Sequence, residues 1–173
     1  MKLICLDMDG CANRGNDNCS PDRHIYNDKF SHVIRSGKNT CEMTYVDPEL
    51  AKRLSATILQ YDLYIVATTS WRLFYRQEEF KELLTLRGLP GERLVGYTPN
   101  LYKESAFFGG GPPRSEEIQV FLKNFKEPVE KCVIIDDLEE ARLKGPNIQF
   151  FKCDPELGYT EEIDQEVRAW LDQ

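Results

Sequence analysis

No stretch of about 18 consecutive apolar residues occurs in the chain, so no membrane-spanning helix is expected. A secretory leader is not expected either: the apolar run Leu3 to Leu6 is cut by Asp7, and no small-residue cleavage site follows. A cytoplasmic protein is the expectation. Excess positive charge is also missing. Lys and Arg number 22 against 29 Asp and Glu, a net charge of −7. That balance argues against a general nucleic-acid coat, while leaving room for contact with one nucleotide end through a local basic patch. The Gly-x-x-x-x-Gly-Lys-Ser/Thr loop of a kinase or ligase domain is absent. Cys5, Cys11, Cys19, Cys41, Cys132 and Cys153, in a chain without a leader, are expected to be reduced thiols rather than bridges.

What is present fits one ordinary domain spanning residues 1–173. Lys2 to Leu6 reads as a short buried strand that delivers Asp7. A polar insertion follows over residues 13–46, without sustained periodicity. Asp47-Pro48 then caps a helix whose apolar stripe is Leu50, Leu54 and Ile58. Leu63 to Ala67 is a second strand, and a helix is expected from Trp71 to about Arg87, ended by Gly88 and Pro90. Arg93 to Tyr97, Cys132 to Ile135 and Ile148 to Phe151 read as further strands. Helices are expected from about Ser115 and from Thr160 to Leu171, and Gly109 to Pro113 as a connector.

Strands alternating with helices imply a Rossmann-like α/β fold, a parallel sheet with helices on both faces. Ligands of such sheets sit beyond the carboxyl ends of the strands. Three of those ends carry Asp7 and Asp9, Thr69 and Ser70, and Asp136 and Asp137. Clustered carboxylates repel one another, and a hard divalent cation such as Mg2+ relieves the repulsion. Gly10 permits the bend that turns both Asp7 and Asp9 toward a site. The backbone after Thr69 opens a helix, a favourable place for phosphate, and Arg114 supplies a fixed positive charge. A one-residue shift at this strand end would make Thr68 or Ser70 the phosphate ligand instead. Trp71 reads as a packing residue.

Asp7-Met8-Asp9-Gly10 after an apolar strand resembles motif one of the haloacid dehalogenase (HAD) superfamily. Thr69 is similar to motif two, Arg114 to the motif-three cation, and Ile134-Ile135-Asp136-Asp137 to motif four. More narrowly, Thr69-Ser70-Trp71-Arg72 and Arg114-Ser115-Glu116-Glu117-Ile118 resemble a branch found in or beside Swiss Army Knife RNA-repair proteins. The resemblance implies a phosphohydrolase in which Asp7 is the nucleophile and Asp9 the general acid and base. It implies that Thr69, with Ser70, and Arg114 hold the phosphoryl oxygens. Mg2+ would be held by Asp7, the Asp9 carbonyl and Asp136, with Asp137 in support. The acid at position 9 favours phosphatase over dehalogenase chemistry.

Cys11, just before the insertion, and Cys19, His24, His32 and Cys41 within it offer zinc-capable atoms, but their spacings fit no recognised finger. A cap or flap that excludes water and selects substrate is the expected role of residues 13–46. The expected substrate is a phosphorylated small molecule, a nucleotide, or a nucleic-acid end bearing a terminal 3′-phosphate. Two other classes remain open: a non-hydrolytic binding or regulatory module, and a phosphotransferase that passes the phosphoryl group to another acceptor.

Overall fold

The computed structural model describes residues 1–14, 45–101 and 113–173. Most of the insertion lies outside these residues, with Cys19, His24, His32 and Cys41, and so does most of the expected connector at Gly109 to Pro113. Five parallel strands form one sheet: β1 (Lys2–Leu6), β2 (Leu63–Ala67), β3 (Leu94–Tyr97), β4 (Lys131–Asp136) and β5 (Ile148–Lys152). Four helices flank it: α1 (Pro48–Gln60), α2 (Gln77–Leu86), α3 (Arg114–Asn124) and α4 (Glu161–Leu171). This is the Rossmann-like arrangement expected from the sequence.

Side chains alternate across a strand, so each strand feeds two cores. Ile4, Leu6, Ile65, Val133 and Ile135 join Leu54 and Ile58 of α1, Phe80 and Leu83 of α2, and Val167 of α4. On the opposite face Leu3, Cys5, Val66, Cys132 and Ile134 pack with Ile118, Phe121 and Leu122 of α3. Cys5, Cys11, Cys132 and Cys153 are buried free thiols. Helix α1 begins where the sequence places it, because Asp47 Oδ1 accepts the backbone N–H groups of Glu49 and Leu50 at 2.8 and 3.1 Å. Such a cap is worth about 1 kcal/mol.

One expected helix is divided. Instead of a continuous run from Trp71 to Arg87, a 3₁₀ turn spans Ser70–Leu73 and α2 starts at Gln77. The Arg76 backbone N–H donates to Glu79 Oε2 at 2.8 Å, so the new helix is capped from its own first turn. Among the described residues, no helix is long and apolar enough to cross a membrane.

The strand order is β3-β2-β1-β4-β5. The chain walks outward from β1 to β3, then crosses back to β4 on the other side of β1. The topological switch point therefore falls between β1 and β4, where a crevice opens past the strand ends.

Candidate active site

The register aligns the residues that follow the strands. Leu6 pairs with Ala67 of β2 and with Ile135 of β4, while Ala67 pairs with Tyr97 of β3. One residue farther along stand Thr98, Thr68, Asp7 and Asp136, across four adjacent strand ends. The ladder continues to this level: the Asp7 N–H donates to Ile135 O at 3.0 Å, and those of Thr68 and Thr98 donate to Leu6 O and Ala67 O at 3.1 Å.

Asp7 and Asp136 are both buried, and Arg114 lies between them. Its Nη1 donates to Asp7 Oδ2 at 2.6 Å and to Asp136 Oδ2 at 2.7 Å. The remaining carboxylate oxygens are also engaged: Asp7 Oδ1 accepts from Met8 N and Asp136 Oδ1 from Leu138 N, each at 2.9 Å. Burial works against the Arg114 charge, but Asp7 and Asp136 outweigh it and hold the guanidinium above its ordinary pKa. Burial, then the Asp7 charge, pushes Asp136 up to about 7 against the opposing pull of Arg114. Asp137 is raised for the same first two reasons.

Carboxylate oxygens of Asp7, Asp136 and Asp137 lie within 4.8 Å of one another. A cluster of hard oxygen donors, crowded enough to raise two of its pKa values, fits Mg2+. Gly10 shapes the rim with a left-handed φ of +73°, and a Cβ there would come within 2.9 Å of Asp137 Oδ2. Asp9 stands apart from the carboxylate cluster, exposed at the mouth of the crevice. Its Oδ1 accepts from Asn13 Nδ2 at 3.0 Å and its Oδ2 from the Trp71 indole at 2.9 Å. Crowding by surrounding protein raises the Asp9 carboxyl; the Asn13 bond opposes this and the Asp7 charge adds to it.

The three hydroxyl residues after β2 separate by environment. Thr69 caps the 3₁₀ turn, accepting Trp71 N–H at 3.3 Å, and Ser70 is exposed at the start of that turn. Among the described residues, the buried hydroxyl of Thr68, in register with Asp7, has no hydrogen-bond partner, nor has that of Thr98 beside it. Buried hydroxyls are rarely left unpaired, so a ligand or water oxygen is called for in this row. A cavity of about 190 Å³ opens beside Arg114, lined also by Ser70, Arg72, Asn100 and Glu140.

Several contributors were not assigned a site role from sequence. Arg72 donates from Nη1 to the carbonyls of Thr68 and Thr69 at 2.6 and 2.8 Å, and from Nη2 to Glu117. Glu117 in turn accepts Leu101 N–H at 3.0 Å. This buried pair ties the ends of β2 and β3 to the first turn of α3, the helix that carries Arg114. Both residues stand inside the two family-like segments, which was the available signal. Trp71 packs edge-to-face on Phe80 as expected, but its N–H is spent on Asp9.

Asp136 gives the metal-free protein a pH dependence of definite sign. Its folded pKa lies above its unfolded one, so its contribution to stability is complete below about pH 4 and fades as pH rises through about 7. Each tenfold change in proton affinity is worth about 1.4 kcal/mol. In chelator, wild type should lose a few kcal/mol between pH 4 and 8 relative to Asp136→Asn, read from urea midpoints. Parallel pH profiles of the two proteins would contradict this.

Searches of curated proteins and of solved structures return no match. The family described as the HAD domain in Swiss Army Knife RNA repair proteins matches residues 3–163. With that match running from β1 into α4, the chain belongs to this family of HAD domains.

Proposed function

We propose that the protein is a Mg2+-dependent phosphomonoesterase that works through a phosphoryl group carried on Asp7. The observation that carries this reading is the convergence of Asp7, Asp136 and Asp137 at the switch point, with Arg114 bonded to both Asp7 and Asp136. Bound Mg2+, held by Asp7, Asp136 and the Asp9 carbonyl with Asp137 in support, would neutralise these carboxylates and polarise a phosphoryl oxygen.

Asp7 attacks phosphorus, and the bond to the ester oxygen breaks. Asp9 gives that oxygen its proton, a task that its upward-shifted pKa favours over that of a free aspartate. Asp9 then takes a proton from water as the water attacks the phosphorus of the acyl phosphate. Inorganic phosphate leaves and the Asp7 carboxylate is restored. Arg114 and the unpaired Thr68 hydroxyl hold phosphoryl oxygens, while Thr69 and Ser70 shape the turn beneath them.

For substrate, we favour the terminal 3′-phosphate of a nucleic acid. Membership in a family named for RNA repair proteins supports this.

Phosphate release is the direct test, with a 3′-phosphorylated oligoribonucleotide, a nucleoside monophosphate panel and 4-nitrophenyl phosphate as substrates. Release should require Mg2+, cease in chelator, and favour the oligonucleotide by about tenfold or more in kcat/KM, a difference near 1.4 kcal/mol. Preference for a free nucleotide would overturn the end-repair assignment. No release from any of them, by folded protein that binds Mg2+, would favour a non-hydrolytic module.

A further inference from the structure

We infer that Trp71 and Asn13 are positioning residues that fix the Asp9 carboxylate for proton transfer. The inference rests on the reading of Asp9 as acid and base given above. Asp9 is exposed, and a carboxylate at the mouth of a crevice would ordinarily sample several rotamers. Here both oxygens are held: Oδ2 by the Trp71 indole N–H at 2.9 Å and Oδ1 by the Asn13 amide at 3.0 Å.

Each donor is itself fixed. Trp71 has no exposed surface, packs against Phe80, and has its own backbone N–H capped by the Thr69 hydroxyl. Asn13 turns its Oδ1 back to accept Gly10 N–H at 3.0 Å and reaches the Tyr45 carbonyl at 3.4 Å. The Met8 carbonyl accepts from Cys11, Ala12 and Asn13, which closes the loop carrying Asp9 and Asn13. The acid is therefore clamped from two sides, by the loop after β1 and the turn after β2. Both bonds use acceptor lone pairs, and each carboxyl oxygen has more than one, so either oxygen can hold the proton without losing its donor. Misplacing a reacting group by about 1 Å can cost on the order of a hundredfold in rate, so such a clamp has kinetic value.

A buried indole also needs a partner for its own sake, so the test must separate positioning from packing. Leaving-group dependence does so. An alkyl phosphate requires protonation of the departing oxygen, whereas 4-nitrophenolate departs without it. We would measure kcat/KM on a series from 4-nitrophenyl phosphate to an alkyl phosphate for wild type, Asp9→Asn, Trp71→Phe and Asn13→Ala, with thermal melts beside them.

Asp9→Asn should lose roughly 10²–10⁴-fold on the alkyl ester and far less on the nitrophenyl ester. Trp71→Phe and Asn13→Ala should lose about tenfold or more on the alkyl ester and less than about threefold on the other. The slope of log kcat/KM against leaving-group pKa then steepens. If Trp71→Phe fails to fold, Asn13→Ala carries the test alone. Equal losses on both esters, or none, while Asp9→Asn stays selective, would overturn the inference and leave the phosphatase reading intact. An unselective Asp9→Asn would show that the assignment of Asp9 itself is wrong, and the inference would fall with it.

Discussion

Asp7→Asn is expected to lower kcat/KM by about 10⁴-fold or more, because an amide cannot form the phosphoryl bond. The same change should leave the fold intact. Asp7 Oδ1 accepts Met8 N–H, a bond that the asparagine oxygen can keep. Removing the charge also relieves Asp136, whose pKa is raised in part by Asp7. The new amide nitrogen, however, would face Arg114 Nη1 where Asp7 Oδ2 now accepts, so metal-free Asp7→Asn should stay folded at pH 8 but with a lower urea midpoint than wild type. Lost turnover in a protein that remains folded would separate the chemical role of Asp7 from a structural one. Residual turnover within about a hundredfold of wild type, where nucleophile loss ordinarily costs far more, would point instead to direct attack by water.

Arg114→Met should have the second largest effect, and it should divide between rate and stability. Arg114 bridges Asp7 and Asp136, both almost wholly inaccessible to solvent at 3% and 0% exposure. Without the guanidinium, two buried carboxylates face each other with no countercharge. Breaking a buried ion pair costs roughly 3–5 kcal/mol, and the loss should be greatest in chelator at high pH. Added Mg2+ should recover part of it, since a ligand that binds only the folded state stabilises it.

In turnover, removing one donor to the developing phosphoryl charge should cost about 10²–10³-fold in kcat. Arg114→Lys keeps a charge but carries it on a shorter, flexible stem that must reach the point where Nη1 now meets both carboxylates, and should fall between Arg114→Met and wild type. Urea unfolding with and without Mg2+, set beside kcat at saturating metal, checks both parts. An Arg114→Met protein of unchanged stability and rate would show that the bridge is incidental.

The readable parts of this fold were those whose physics is local. Buried parallel strands are short continuous apolar runs, so Lys2 to Leu6, Leu63 to Ala67 and the run into Asp136 stand out in sequence, and polar residues at their ends mark the crevice. Asp7 stood out because it follows β1 directly, and Asp136 and Asp137 because one ends β4 and the other follows it. The different surroundings of Thr68, Thr69 and Ser70 turn on one residue of register, which the pairing of Leu6 with Ala67 supplies. The break before Gln77 was hidden because Arg76 is not a typical capping residue.

The remaining contributors act across long sequence separations. Arg72 and Glu117 are 45 residues apart, and Trp71 is 62 from Asp9. An indole that packs and an indole that also donates look identical in one dimension.

A phosphoryl group that passes through Asp7 can be trapped there as a covalent intermediate. Wild type and Asp9→Asn would be mixed with 4-nitrophenyl phosphate and Mg2+, quenched in acid within one turnover, digested, and analysed by mass spectrometry. A phosphoryl adduct is expected on the peptide containing Asp7, labile to hydroxylamine and more abundant in Asp9→Asn, where hydrolysis of the intermediate lacks its base. Nitrophenol release within one turnover with no adduct at Asp7 in either protein would contradict passage through Asp7.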